Sequence, residues 1–187
     1  TEISNLHLKD CEIHGLVQVA SIASYISDSK VYNCRVTGKI SGVNTCGGLC
    51  GQAQSTQIAN SSFIGDIYCR EDVIPTNTIR GYMGSAVGGM SGGILSNCYL
   101  VCEIADSLAY TGVLVGFGSG IDKISYCYFK DYSNRPANLS PVSPSHDNSS
   151  FSGSDTIWTL YTPSYVNGAF YSDLQAVLNA WVDANNT

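Results

Sequence analysis

Residues 31–42 read VYNCRVTGKISG, and the core of that phrase returns at residues 95–104 as LSNCYLVCEI. Its apolar positions are Val31, Cys34, Val36 and Ile40, so the two-residue alternation of a strand breaks between 31 and 34. Asn33 stands at the break. Asn tolerates bend conformations that most residues avoid, so the phrase reads as a strand, a corner and a second strand.

Three further copies follow from the same pattern: Leu8-Lys-Asp10-Cys11, Ile58-Ala-Asn60-Ser61 and a worn Ile124-Ser-Tyr126-Cys127. A second phrase alternates with the first: Cys46-Gly-Gly-Leu-Cys-Gly51, Val87-Gly-Gly-Met-Ser-Gly92 and Thr111-Gly-Val-Leu-Val-Gly116, with a faded Ile22-Ala-Ser-Tyr-Ile-Ser27. From residue 22 these starts are spaced by 24, 41 and 24 residues, giving a period of 24 with one insertion of 17 in REDVIPTNTIRGYMG. A unit this short cannot bury its own apolar face, so copies must stack on one another.

The expected fold is therefore all-β: a parallel, right-handed β-helix or solenoid of about four to five coils, with neighbouring coils about 4.8 Å apart. In such a stack matched letters form columns. Asp10, Asn33, Asn60 and Asn97 are expected to make a side-chain amide ladder at one corner. Cys11, Cys34, Cys98 and Cys127, with Ser61, are expected to point inward as small apolar thiols. Stacked copies that all face the same way suit disulfide torsions poorly. Cys69 and Cys102 lie elsewhere in their repeats, where an isolated bridge stays open.

Repeats are expected over 1–131, with an insertion loop at about 70–86. Residues 132–156, rich in Ser, Asn and Pro, read as a loop or linker. The end, 157–187, reads as a final strand and then a helix. Ser172 and Gln175 form a capping-box pair, while Leu174, Val177, Leu178, Trp181 and Val182 share one helical face. That helix either caps the stack or begins another domain.

Composition agrees with a β-rich, turn-rich chain. Of 187 residues only 13% are charged, and there are 19 Gly and 12 Tyr. The formal charge of −6, with Lys and Arg scattered, argues against nucleic acid and anionic membrane as partners. No apolar run approaches the ~18 residues of a membrane span, so no membrane insertion is expected in this segment.

Candidate chemistry is sparse. Cys46 and Cys50, like Cys98 and Cys102, are four apart, which is not the spacing of a zinc knuckle, and Cys11 with His14 has no second pair. The three His, at 7, 14 and 146, have no distinctive Ser or Cys beside them. No cofactor, metal or catalytic residue is assigned. Asp66 and Glu103 occupy one repeat position and are the best carboxylate pair for an alternative reading as a carbohydrate-active β-helix enzyme, a polysaccharide lyase or glycosidase. Such a column is more often a solvated face. Tyr99 and Tyr128 share the position after the Cys, with Arg35 in the same column and Tyr32 nearby. Together they are a candidate ligand surface that Tyr68, Tyr82 and Tyr110 would extend. Aromatic ladders also stabilise sheets without any ligand.

The alternating phrases over residues 8–131 resemble the GLUG repeat, whose units read approximately V-G-G-L-V-G and then I-x-N-C-Y-x-x-G. The resemblance implies a secreted or surface-anchored bacterial protein, because such repeats occur in adhesin-like proteins and beside the catalytic domain of immunoglobulin A1 peptidases. Those peptidases bind zinc through His-Glu-x-x-His, which this sequence does not contain. The implied role is a non-enzymatic structural or adhesion module, with a glycan or host surface protein as its partner. Since ISNLHLKDC is already mid-pattern at residue 3, a fragment of a longer exported protein is expected.

Overall fold

The structure is a computed structural model that describes residues 1–70, 82–105, 110–112, 114–125, 127–129, 158–160, 164–166 and 169–171. In chain order its strands are β1 (Glu2–Ser4), β2 (His7–His14), β3 (Gln18–Ala20), β4 (Ala23–Ser27), β5 (Lys30–Tyr32), β6 (Arg35–Gly42), β7 (Thr45–Gly47), β8 (Cys50–Ala59) and β9 (Ser62–Cys69). They continue as β10 (Tyr82–Gly84), β11 (Val87–Ser96), β12 (Tyr99–Ala105), β13 (Tyr110–Gly112), β14 (Val115–Ser119), β15 (Lys123–Ser125) and β16 (Cys127–Phe129). The last are β17 (Trp158–Leu160), β18 (Ser164–Val166) and β19 (Ala169–Tyr171).

All but the β18–β19 hairpin belong to three parallel sheets. One runs β1-β5-β8-β11-β14, with β4 beside β8 and β15 beside β11. The second runs β2-β6-β9-β12-β16-β17, and the third β3-β7-β10-β13. The chain visits the sheets in rotation, so each strand pairs with its counterpart one circuit away.

Register turns repeated letters into columns. Ile3, Val31, Ile58, Leu95 and Ile124 lie side by side across the first sheet, and Ile13, Ile40, Ile67 and Ile104 across the second. Val31, Ile58, Leu95, Ile40 and Ile67 are completely buried, each worth roughly 1.5–3 kcal/mol of apolar transfer. Large and small side chains interleave, with Ala53 between Ile26 and Met90. The three sheets share one core.

The circuits are longer than the phrase spacing suggests. Val19, Cys46, Met83 and Thr111 are register partners, which sets steps of 27, 37 and 28 residues and an enlargement of ten. The period of 24 and the insertion of 17 are thus corrected. Two misalignments produced them. The glycine phrase of the enlarged circuit is Met83-Gly-Ser-Ala-Val-Gly88, because Ala86 pairs through its backbone with both Leu49 and Leu114. The phrase at 87–92 only imitates it. In the first circuit the matching segment is Val19–Ser24, with Ile22 donating to the Leu49 carbonyl. Residues 82–86 are consequently strand and turn within the sheets, not part of an insertion loop.

Gly47, Gly84 and Gly112 share one column. A Cβ at Gly47 would lie 1.9 Å from the Cys50 carbonyl oxygen, and one at Gly112 1.8 Å from that of Val115, so in these circuits the turn between the third and first sheets excludes a side chain. In the edge circuit the place is taken by Ala20. The expected strand at 157–161 corresponds to β17, which pairs with β16. The β18–β19 hairpin was not foreseen. The expected linker at 132–156 and helix from residue 172 lie outside the described residues. Among the described residues no helix is long and apolar enough to cross a membrane.

Candidate functional site

The corner between the first and second sheets is built by asparagine. Asn5, Asn33, Asn60 and Asn97 have φ of 56°, 52°, 50° and 48°, the left-handed region in which Asn is favoured over other side-chain-bearing residues. Asn33 donates through Nδ2 to Asn5 Oδ1, and Asn97 donates to Asn60 Oδ1 at 2.8 Å. Asp10, expected as the first rung, is not there. It sits in a bulge of β2, where its own φ is 51°, and its N–H donates to Thr37 Oγ1 at 2.9 Å. The left-handed bulge imitates the corner, which is why Asp10-Cys11 passed for a copy of Asn33-Cys34.

The thiol column follows the same correction. Cys34, Cys98 and Cys127 are buried, with Ser61 in series. Cys34 and Cys98 each approach the carbonyl two residues back at 3.3 Å, as the Ser61 hydroxyl does at 2.8 Å. Cys11 lies instead on β2 opposite Gly38, half-buried, and burial pushes its thiol up. Cys11, Cys34, Cys50 and Cys98 are free thiols. Burial, followed by the neighbouring Cys34 and Cys98, pushes Cys50 up to about 12. A buried thiol whose proton is held this firmly is unsuited to nucleophilic work. The side chain of Cys69 lies outside the described residues, and Cys102 is buried with Sγ 3.5 Å from the Glu103 carbonyl.

Immediately after the corner, Arg35, Ser62, Tyr99 and Tyr128 are register partners on successive strands of the second sheet. Ser62 is the short member between two long ones. Above it the surface dips into a cleft of about 300 Å³ lined by Asn33, Arg35, Asn60, Ser61, Ser62, Ile64, Asn97 and Tyr99. Sequence reasoning did not name Ser62. The signal was available as a small residue aligned between Arg and Tyr.

The other tyrosines scatter. Tyr32 lies on the first sheet, where its hydroxyl donates to Glu2 Oε1 at 2.7 Å, and it does not line the cleft. Tyr82 belongs to the third sheet, its ring 4.7 Å from that of Phe117, with Tyr110 its register partner. Tyr68 is on β9. Among the described residues these tyrosines are divided among three different sheets rather than gathered on one.

Glu12, Lys39, Asp66 and Glu103 make a second column on the second sheet. Lys39 stands between Glu12 and Asp66, while Asp66 and Glu103 are direct neighbours. A further grouping was missed by sequence. His14 Nδ1 is 2.5 Å from Ser41 Oγ, and its Nε2 is 3.4 Å from Glu12 Oε1. If the ring's Nε2–H faces Glu12, the Ser41 hydroxyl is the donor to Nδ1. Ser41 is fully buried, so this trio ties β2 to β6 and offers no accessible nucleophile. Among the described residues no three His, Cys, Asp or Glu side chains converge as a metal ion would require.

Similarity to known proteins is confined to less than half of the chain. It is 30% identical over 89 residues, 48% of its length, to a protein named zinc metalloprotease ZmpC from Streptococcus pneumoniae serotype 4, and 31% identical over 87 residues, 46% of its length, to one named immunoglobulin A1 protease from Streptococcus sanguinis. The matched stretch is only 5% of each relative. No protein-family model matches the chain. No solved structure matches it either.

Proposed function

We propose that the chain is a GLUG-type repeat module: a right-handed β-solenoid on the outside of a bacterial cell that holds a binding surface away from its anchor and performs no chemistry itself. The observation that carries this reading is the register that repeated letters keep from strand to strand through three parallel sheets, with the β2 bulge at the edge as its interruption. Strands that pair on both sides with equivalent strands make a stiff stack, and stiffness along the stack is what a stalk or adhesive arm requires. The partial likeness to streptococcal proteases supports placing it in a large exported protein, since the matched 5% leaves room for catalysis elsewhere. Burial of Cys34, Cys50 and Cys98 in the core fits a structural role for these cysteines.

The test is adhesion without turnover. The purified chain should bind saturably to a surface coated with the sialylated glycoprotein fetuin, and should leave both immunoglobulin A1 and soluble polysaccharides uncleaved. Absence of any adhesion to glycoprotein or host cells sinks the adhesive part.

A second reading rests on one specific placement. Asp66 and Glu103 sit on adjacent strands, about 5 Å apart along the stack, a separation compatible with a retaining glycosidase. If release of reducing sugar ends a polysaccharide challenge and disappears in both Asp66→Asn and Glu103→Gln, the enzymatic reading replaces the adhesive one.

A further inference from the structure

The cleft beside the asparagine corner has features that no structural role of the corner explains. The ladder is interrupted there. Asn33 uses its Nδ2 on Asn5, and Asn60 uses its Oδ1 on Asn97, but among the described residues no bond joins Asn33 to Asn60. Asn33 Oδ1 and Asn60 Nδ2 therefore remain as an acceptor and a donor one strand apart, both residues lining the cleft. The interruption falls where Ser61 replaces the column's cysteine, its hydroxyl accepting the Cys34 N–H at 3.1 Å. Behind them Asn97 is 4% exposed, and among the described residues its Oδ1 has no hydrogen-bond partner.

The charge is also unusual. In a chain of formal charge −6 the cleft contains one arginine and no carboxylate, and Arg35 is exposed with no acidic partner among the described residues. At the opposite wall stands Tyr99, half-buried. Arg35 and Tyr99 flank Ser62 by one strand each, so the notch is about 10 Å across. Its floor cannot accept a peptide as an added strand, because β9 is already paired on both sides by β6 and β12.

We propose that this notch binds a carboxylate-bearing oligosaccharide. The carboxylate lies on the Arg35 guanidinium, which suits a planar two-oxygen anion. Neighbouring hydroxyls bridge Asn33 Oδ1 and Asn60 Nδ2, replacing the water those groups otherwise hold. The apolar face of a sugar ring lies on Tyr99, whose rigid ring gives contact area at low entropic cost. The inference rests on the adhesive reading and names its ligand class; a sialic acid and a hexuronic acid share the required chemistry.

The experiment is titration calorimetry of the full chain with sialyllactose, a hyaluronan oligosaccharide, neutral lactose and an acidic glutamate peptide. One or both carboxylated sugars should bind, and which one does identifies the source of the carboxylate. Arg35→Gln should weaken that binding about tenfold or more, and Ser62→Tyr, which fills the notch, should abolish it. Lys39→Gln, on the same sheet outside the cleft, should leave it unchanged, and circular dichroism melts should show all three variants folded. Equal affinity for lactose, binding of the peptide in preference to the sugars, or unaltered binding by Arg35→Gln overturns the proposal. If the wild-type chain adheres to fetuin and Ser62→Tyr adheres equally, the cleft assignment fails while the adhesive reading stands. If the wild-type chain adheres to nothing, both fail.

Discussion

The first circuit, β1 to β3, and the third, β8 to β10, are built from matching letters but differ in what covers them. In the interior circuit Phe63 and Ile67 are completely buried, sandwiched between Val36 and Leu100 and between Ile40 and Ile104. Their counterparts at the edge, Leu8 and Ile13, are only partly buried. Leu16 and Val17, on the adjoining turn, are 57% and 60% exposed. An apolar side chain in this architecture acquires its full value only when a neighbour lies on each side. The same residue type therefore contributes unequally along the stack.

Substitutions can break that comparison. The largest expected effect is at the core: Phe63→Ala should destabilise by about 3–5 kcal/mol, read from urea unfolding, whereas Leu8→Ala and Ile13→Ala should cost about half the interior value or less. Equal losses at Ile13 and Ile67 would mean that the edge is covered in solution. Next comes the glycine column. Gly47→Ala should cost roughly 2–4 kcal/mol, since its Cβ would collide with the Cys50 carbonyl, while Ala20→Gly at the matching edge position should cost under ~1 kcal/mol.

Alkaline titration sharpens the contrast further. The folded Cys50 thiol holds its proton up to about pH 12, whereas an unfolded one releases it near pH 9. The stabilising contribution of this thiol is therefore complete below about pH 9 and lost progressively up to about pH 12, at ~1.4 kcal/mol per pH unit. Cys50→Ala should flatten this slope, and Cys11→Ala, at the half-exposed edge, should change it much less. The smallest difference concerns the asparagines: Asn97→Ala should cost about 1–2 kcal/mol through a lost amide bond and a left-handed backbone, and exposed Asn5→Ala less than that in thermal melts.

What could be read from sequence divides along the same line. All-β architecture with parallel strands followed from the two phrases, because Asn at a left-handed corner and a small inward residue after it are local requirements that each interior copy must satisfy. The register did not follow, since Asp10 meets the same left-handed requirement inside a bulge and residues 87–92 carry a glycine phrase of their own. Only backbone pairing of Ala86 with Leu49 and Leu114 separates the true copy from the imitation. The cleft was half legible: Arg35 and Tyr99 were aligned by pattern, but a notch is defined by the shortness of Ser62, which carries no motif. The tyrosines could not be assigned to faces without knowing which of three sheets each one joins.

The ten extra residues between β9 and β10 leave the pairing of β7 with β10 and of β8 with β11 intact. Chain length between these two strands is decoupled from alignment in the described sheets, so this connection is an address for foreign sequence. An epitope or reporter peptide spliced in at this address would ride on the scaffold at a constant height relative to the rest.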